Sequence, residues 1–322
     1  MNNGAWASKG VFSAIVSFNR PIGEKCYRLG LEFSGAGAEA FGTSGPGEFC
    51  ELELSNAALP GPQTIPKKLA DAAERQILLR RPFSFADVRA EKNKTSVEIL
   101  YGVVGPGTLR MSMLSRDDSI SVIGPLGRGF WVPEGKKTAL LVIGGMGAGP
   151  LLYLAKVLSE NYPKIEVTAF AGAKTKNELP FERRLDEVSQ GLGFSIAEFA
   201  KYGAKSFIAT DDGTAGFEGT AADCFSQWLE KSSLKSENTI LKSENTIIYS
   251  CGPEAMLKQI SEIAEKRNID CQISMERMMA CGFGLCQSCA VECKANDSNE
   301  TVYKLCCKDG PVFESREVVF GL

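Results

Sequence analysis

Cys281, Cys286 and Cys289 follow one another at C-x4-C-x2-C spacing, and Cys306 and Cys307 stand further on, just ahead of Lys308-Asp309-Gly310-Pro311. Three thiolates from one tight loop with a distant fourth form the ligand pattern of a plant-type [2Fe–2S] cluster. Gly282 and Gly284 let the backbone curl around inorganic sulfide and offer it unhindered N–H donors. A structural zinc site also takes four cysteines, but in two close pairs, whereas the first interval here is four residues. On chemistry alone Cys293, Cys306 and Cys307 all qualify as the fourth ligand. The chain has no histidine, which excludes a Rieske centre, a mixed Cys/His zinc site and Ser–His nucleophilic catalysis. Any enzyme built this way relies on cofactor chemistry.

A single late cluster marks an electron terminus, so the upstream chain should hold whatever loads it. Arg81-Pro82-Phe83-Ser84 places an arginine beside a hydroxyl, a pair able to hold a pyrophosphate and the polar edge of a planar ring. A surface arginine in a loop is the plainer account. Tyr101 to Thr108 contains a glycine-rich turn whose N–H groups can face phosphate oxygens, or can simply close a hairpin. Gly124 to Phe130 reads as the turn between two domains.

Gly144-Gly145-Met146-Gly147 has the context that a phosphate loop requires, between a buried strand and a helix. It departs from the Rossmann fingerprint, because Pro150 holds the third glycine's place and no acid ends the next strand. Cys251-Gly252-Pro253 follows a later strand and lies at the sheet's carboxyl edge, where ligands bind. A lone cysteine is as often a small core residue. Thr210-Asp211-Asp212-Gly213 ends another strand at that edge, as a ribose contact or a solvated turn.

These motifs need particular elements to position them. Val11–Phe18, Tyr27–Phe33, Gly47–Leu54, Ser96–Val104 and Ser119–Ile123 read as short strands between Gly/Pro turns, which fits a small antiparallel barrel or sandwich. Leu59–Leu79 reads as an insertion or long loop with a helical Lys67–Arg75 stretch. Beyond Pro133 the pattern alternates. Strands are expected at 138–143, 165–171, 207–210 and 246–250, and helices at 150–160, 181–189, 221–231 and 253–267, the signature of a doubly wound parallel sheet. Lys235–Leu241 and Lys242–Ile248 are tandem near-copies; one should supply the buried strand and the other lengthen a loop.

The expected class is α+β and α/β multidomain: a barrel over 1–133, a parallel-sheet domain over 134–268 and a small cysteine module over 269–322. A net charge of -3 argues against a nucleic-acid partner. No apolar run is long enough to span a membrane, and the N-terminus lacks the basic flank and apolar core of a secretory leader. Eleven cysteines without export predict reduced thiols in the cytoplasm.

Taken in order, these motifs, ending in Met279-Ala280-Cys281 through Cys289 and Cys307 through Phe313, resemble the electron-transfer subunits of the B-type, NAD-dependent dihydroorotate dehydrogenases, within the ferredoxin-reductase superfamily. The resemblance runs from about Val11 to Phe320. It implies FAD on the barrel, with Arg81, Pro82, Phe83 and Ser84 at its phosphates and ring. It further implies Leu100, Tyr101 and Gly102 along the flavin, and Gly107 and Thr108 at its pyrophosphate. NAD(H) would lie across Gly144, Gly145, Met146 and Gly147 and the Cys251, Gly252, Pro253 turn, with Cys251 as the catalytic candidate.

The resemblance picks Cys307 over Cys306, giving Cys281, Cys286, Cys289 and Cys307 around [2Fe–2S]. It also implies an FMN-containing catalytic partner in a heterotetramer. Reduced nicotinamide gives two electrons as a hydride and a cluster takes one at a time, so a flavin between them acts as converter. Two alternatives stand beside this: a diaphorase or reductase subunit of a hydrogenase or transhydrogenase complex, and a zinc-stabilised binding module. The seven-residue tandem, the Leu59–Leu79 stretch and the adjacent Cys306 and Cys307 depart from the family's compact pattern.

Overall fold

A computed structural model describes residues 9–181, 183–184, 195–233, 242–295 and 300–321. The first unit holds strands β1 (Gly10–Pro21) and β2 (Cys26–Ser34), helix α1 (Gly35–Phe41), β3 (Phe49–Leu52), the one-turn helix α2 (Ala70–Ala73), β4 (Arg81–Glu91), β5 (Lys94–Gly102), α3 (Pro106–Met111) and β6 (Ser119–Leu126). The six strands close into an antiparallel barrel in the order β1-β2-β5-β4-β3-β6. Alternation along the strands turns Ala14, Val16, Leu29, Leu31, Val97 and Ile99 inward, onto Phe33, Phe41 and Phe85. Asn19 spans this interior, donating to the carbonyls of Met111 and Leu114 and accepting the Tyr101 hydroxyl at 3.0 Å. The Leu59–Leu79 stretch is anchored by Leu69, Ala73 and Ile77, which join the same core.

The second unit runs β7 (Thr138–Gly144), α4 (Ala148–Asn161), β8 (Glu166–Ala173), β9 (Arg183–Arg184), β10 (Ser195–Ile196), α5 (Ala197–Ala200), β11 (Lys205–Thr210), β12 (Phe217–Glu218), α6 (Ala221–Ser233), β13 (Thr246–Cys251), α7 (Glu254–Lys266) and β14 (Asp270–Ser274). β15 (Ala290–Lys294), β16 (Thr301–Leu305) and β17 (Val312–Glu314) complete the chain. β15 and β16 form a hairpin, while β17 pairs antiparallel with β14 at one edge of a seven-stranded sheet, β12-β11-β8-β7-β13-β14-β17. The other neighbours pair in parallel. Every residue of β7 and of β13 is buried, as strands covered on both faces require.

The expected class therefore holds, with local differences. Arg81–Glu91 is a full barrel strand and Asp270–Ser274 a sheet strand, both beyond the periodic pattern. Pro106–Met111, which overlaps the glycine-rich turn expected within 101–108, is a short helix opened by a proline at its first turn. Of the helix expected over 181–189, Phe181 lies in a bend and Arg183–Arg184 is a strand laddered to Ser195–Ile196, local pairing overriding a weak helical preference; 182 and 185–189 lie outside the described residues. The second tandem copy supplies buried β13 from Thr246, and the first copy also lies outside them.

Helix α4 locks the parallel sheet to the barrel. Tyr153 donates its hydroxyl to the Ser44 carbonyl at 2.7 Å, and the Lys156 ammonium meets Asp87 of β4 at 2.6 Å. That contact sets the loop before α4 against the strands carrying the aromatic motif.

Candidate functional site

Antiparallel pairing of β3 with β4 sets Phe49 opposite Ser84 and Leu52 opposite Arg81, so the Arg81–Ser84 motif runs along one barrel edge. Arg81 packs against Gly107: a Cβ there would stand 3.2 Å from Arg81 Cγ and 3.3 Å from Nε. The Arg81 guanidinium donates to the carbonyls of Leu79 at 2.7 Å and Arg80 at 3.2 Å, which aims it along the turn. Thr108 Oγ accepts the N–H groups of Val104 at 3.0 Å and Gly105 at 3.1 Å and thereby shapes that turn. Arginine, glycine and threonine thus make a cradle that any larger residue at 107 would fill, which fits a phosphate.

The loop after β7 crosses the turn after β13 with backbone against backbone. A Cβ on Gly147 would fall 2.2 Å from the Cys251 carbonyl oxygen, so only glycine fits. From this loop Met146 reaches back to the barrel, close to Gly102 and 3.8 Å from the sulfur of Cys26. Cys251 is buried, and burial pushes its thiol up to about 12. It therefore presents a neutral thiol surface rather than a nucleophile.

Three elements converge on one cavity of about 420 Å³. Pro82, Phe83, Ser84, Leu100, Tyr101, Gly102 and Thr108 line it from the barrel, and Met146 and Cys251 from the sheet. Gly144 and Gly147 meet Cys251, Gly252 and Pro253 where the two loops cross, Gly145 faces open space, and none of these except Cys251 lines the cavity. The third wall went unseen in the sequence: Ser274, Met275, Glu276, Arg277 and Met279, leading from β14 toward the cysteine loop, together with Pro311. Their signal was position, since β14 lies beside β13 and its carboxyl end must open onto the same crevice. Arg277 makes a two-pronged ion pair with Glu254 at the start of α7, at 2.9 and 3.3 Å.

The cysteine loop is shaped by N–H···S bonds. Cys281 Sγ accepts the backbone N–H of Leu285 at 3.3 Å and of Cys286 at 3.4 Å, and Cys289 Sγ accepts that of Cys307 at 3.4 Å. Such donors favour thiolate and cluster sulfur charge. The hydroxyl of Ser288, 3.2 Å from Cys286 Sγ, brings that thiol down to about 6. Cys306 is turned away and donates its thiol to the Met275 carbonyl at 3.3 Å, while Cys293 is buried in β15. No group of three or more such side chains among the described residues is arranged to hold a single metal ion. A two-iron cluster spreads its thiolates over two metals, a wider ring than a zinc tetrahedron.

Under this loop lies Glu51 of β3, buried and flanked by Arg80. Burial pushes its carboxyl up to about 7, against the pull of Arg80.

The profile of the iron–sulfur cluster binding domain of dihydroorotate dehydrogenase B matches residues 276–319. Across 309 residues the chain is 32% identical to the dihydroorotate dehydrogenase B (NAD(+)) electron transfer subunit of Caldanaerobacter subterraneus subsp. tengcongensis, covering 95% of this chain and 98% of that one. The chain belongs to this family of electron transfer subunits. The Listeria welshimeri subunit is 34% identical over 300 residues, 92% of this chain and 94% of its own.

Solved structures agree on the fold. A structure of an NADH-dependent reduced ferredoxin–NADP oxidoreductase matches with TM-score 0.68 at 24% identity, covering 95% of this chain and 89% of that one. The ferredoxin reductase in carbazole 1,9a-dioxygenase gives 0.56 at 16% identity, covering 81% and 67%. Family membership decides between the two redox expectations: the chain is an electron transfer subunit of the dihydroorotate dehydrogenase B type, not a hydrogenase diaphorase. No helix among the described residues is long and apolar enough to cross a membrane.

Proposed function

We propose that this chain carries electrons between an FMN-containing subunit that oxidises dihydroorotate and NAD+, using FAD in the cavity and [2Fe–2S] on Cys281, Cys286, Cys289 and Cys307. One observation carries the reading: the aromatic barrel motif, the glycine loop after β7 and the segment leading into the cysteine loop all wall the same cavity. A flavin held there exchanges a hydride with nicotinamide and single electrons with an iron–sulfur cluster.

The chain's own residues bind and orient. Phe83, Leu100 and Tyr101 offer an apolar wall to a planar ring, with Ser84 as a polar edge contact. Arg81, Gly107 and Thr108 receive the flavin's phosphates. Gly144, Gly145, Met146 and Gly147 take the nicotinamide nucleotide's pyrophosphate, and Gly252 and Pro253 shape the opposite turn. Cys251, as a neutral thiol at the wall, would offer a nicotinamide packing surface and no proton. Residues 1–133, 134–268 and 269–322 thus act as flavin, nucleotide and cluster units, with β14 and β17 joining the last to the sheet.

Phe283 and Leu285 within the cysteine loop, and Met278 just before it, are exposed at 50%, 76% and 90%, and supply an apolar contact for the catalytic subunit. No disulfide joins any of the eleven cysteines, which suits work in the reducing cytoplasm. The test is reconstitution. Mixed with its catalytic subunit, the loaded chain should support dihydroorotate-dependent reduction of NAD+, and neither subunit alone should. Equal NAD+ reduction by the catalytic subunit alone would overturn the proposal.

A further inference from the structure

Glu51 is 1% exposed, and its Oε1 has no hydrogen-bond partner. Buried carboxylate oxygens are nearly always bonded, so an unbonded one calls for an explanation. Neither arginine that pulls on it supplies a partner: Arg80 donates to the Ser121 carbonyl and hydroxyl at 2.9 Å each and pairs with Glu53 at 3.6 Å, and Arg81 donates to the carbonyls of Leu79 and Arg80.

The carboxylate faces the cysteine loop instead. Gly282 has φ +74, and a Cβ there would stand 2.5 Å from both Cδ and Oε1 of Glu51. Loop and carboxylate therefore sit in backbone contact, one residue beyond Cys281. Glu51 also pairs with Pro82 across β3 and β4, inside the aromatic motif that walls the cavity. It thus lies between the two proposed redox sites.

We propose that Glu51 is a positioning and charge-setting residue for the iron–sulfur cluster: it seats the Cys281–Cys289 loop on the barrel and places a buried negative charge beside the metal site. This inference rests on the functional reading above. In a weakly polar surrounding a fixed charge acts strongly on its neighbours. Adding an electron next to it costs more, so Glu51 lowers the reduction potential of the cluster and favours the electron leaving it. Glutamine keeps the shape and removes the charge, whereas aspartate keeps the charge and withdraws it by one methylene.

The experiment is an EPR-monitored redox titration of the full-length loaded protein at pH 9, comparing wild type, Glu51→Gln and Glu51→Asp. The expected result is an upward shift in the cluster potential for Glu51→Gln at unchanged iron content, with Glu51→Asp close to wild type. Loss of iron in Glu51→Gln but not in Glu51→Asp also supports the inference, because the two then differ through charge. A Glu51→Gln potential equal to wild type, or an equal shift in both variants, overturns it. A wild-type protein without any cluster signal overturns both the inference and the reading beneath it.

Discussion

Cys306 and Cys307 are neighbours in the chain and face different partners. Cys306 donates its buried thiol to the Met275 carbonyl at 3.3 Å, whereas Cys307 turns toward Cys289, whose sulfur accepts its N–H at 3.4 Å. Met275 lines the cavity, so Cys306 ties the cavity wall to the module that holds the other thiols. Replacing each by serine separates the roles. Cys307→Ser should lose most of the iron and the visible absorbance of the cluster. Cys306→Ser should keep both, since a hydroxyl can still reach the Met275 carbonyl. Iron and sulfide analysis of the two variants checks this; full iron in Cys307→Ser would refute the ligand set.

Gly147 meets the turn after β13 too closely for any side chain, a Cβ falling 2.2 Å from the Cys251 carbonyl oxygen. Gly147→Ala must separate the two loops. Overpacking of this kind costs about 1–3 kcal/mol. The variant should melt earlier and reduce its flavin with NADH about tenfold more slowly, while still holding FAD, because most of the proposed flavin contacts lie on the barrel. Stopped-flow flavin reduction with a parallel melting curve reads both effects.

Glu48 accepts the N–H of Gly45 at 3.0 Å, and burial pushes its carboxyl up from an ordinary 4.5 to about 6. The folded state therefore binds the proton more tightly than the unfolded chain does. The stability this adds is complete below about pH 4.5 and is lost as pH rises through about 6. Glu48→Gln keeps the acceptor and never ionises. It should be more stable than wild type at pH 8, by up to about 2 kcal/mol, and show little advantage at pH 4. Urea unfolding at the two pH values measures this, and an equal gain at both would contradict it.

Leu285 is 76% exposed within the cysteine loop. An apolar anchor buried in an interface contributes about 1–2 kcal/mol. Leu285→Ser should therefore weaken association with the catalytic subunit roughly tenfold. Iron content should be unchanged, since only the backbone of Leu285 donates to Cys281. Calorimetric titration of one subunit with the other reports the loss.

Much of this arrangement was legible in the residues. The continuous apolar run 138–143 announced fully buried β7, and alternation along Val11–Phe18 announced a barrel wall. Other elements were hidden by polar residues that only the fold satisfies. β14 carries Gln272, which is buried because its amide accepts from Trp131 N–H at 3.1 Å and donates to the Trp131 carbonyl at 2.8 Å. With β14 unread, the cavity's third wall, Ser274–Arg277, could not be placed. β4 was masked in the same way, its outer residues Arg89 and Glu91 reading as surface. The choice between Cys306 and Cys307 could not come from spacing, because it depends on a carbonyl 31 residues away. Glu51 left no trace at all, since its neighbour Gly282 is distant in sequence.

If this chain converts hydride into single electrons, reduced nicotinamide must reduce both its flavin and its cluster. Anaerobic titration of the loaded subunit with NADH, followed by visible absorbance and low-temperature EPR, tests it most directly. The account predicts bleaching of the flavin band together with the signal of a reduced [2Fe–2S] cluster, the latter absent in Cys307→Ser. A flavin and cluster that both stay oxidised under excess NADH would contradict it.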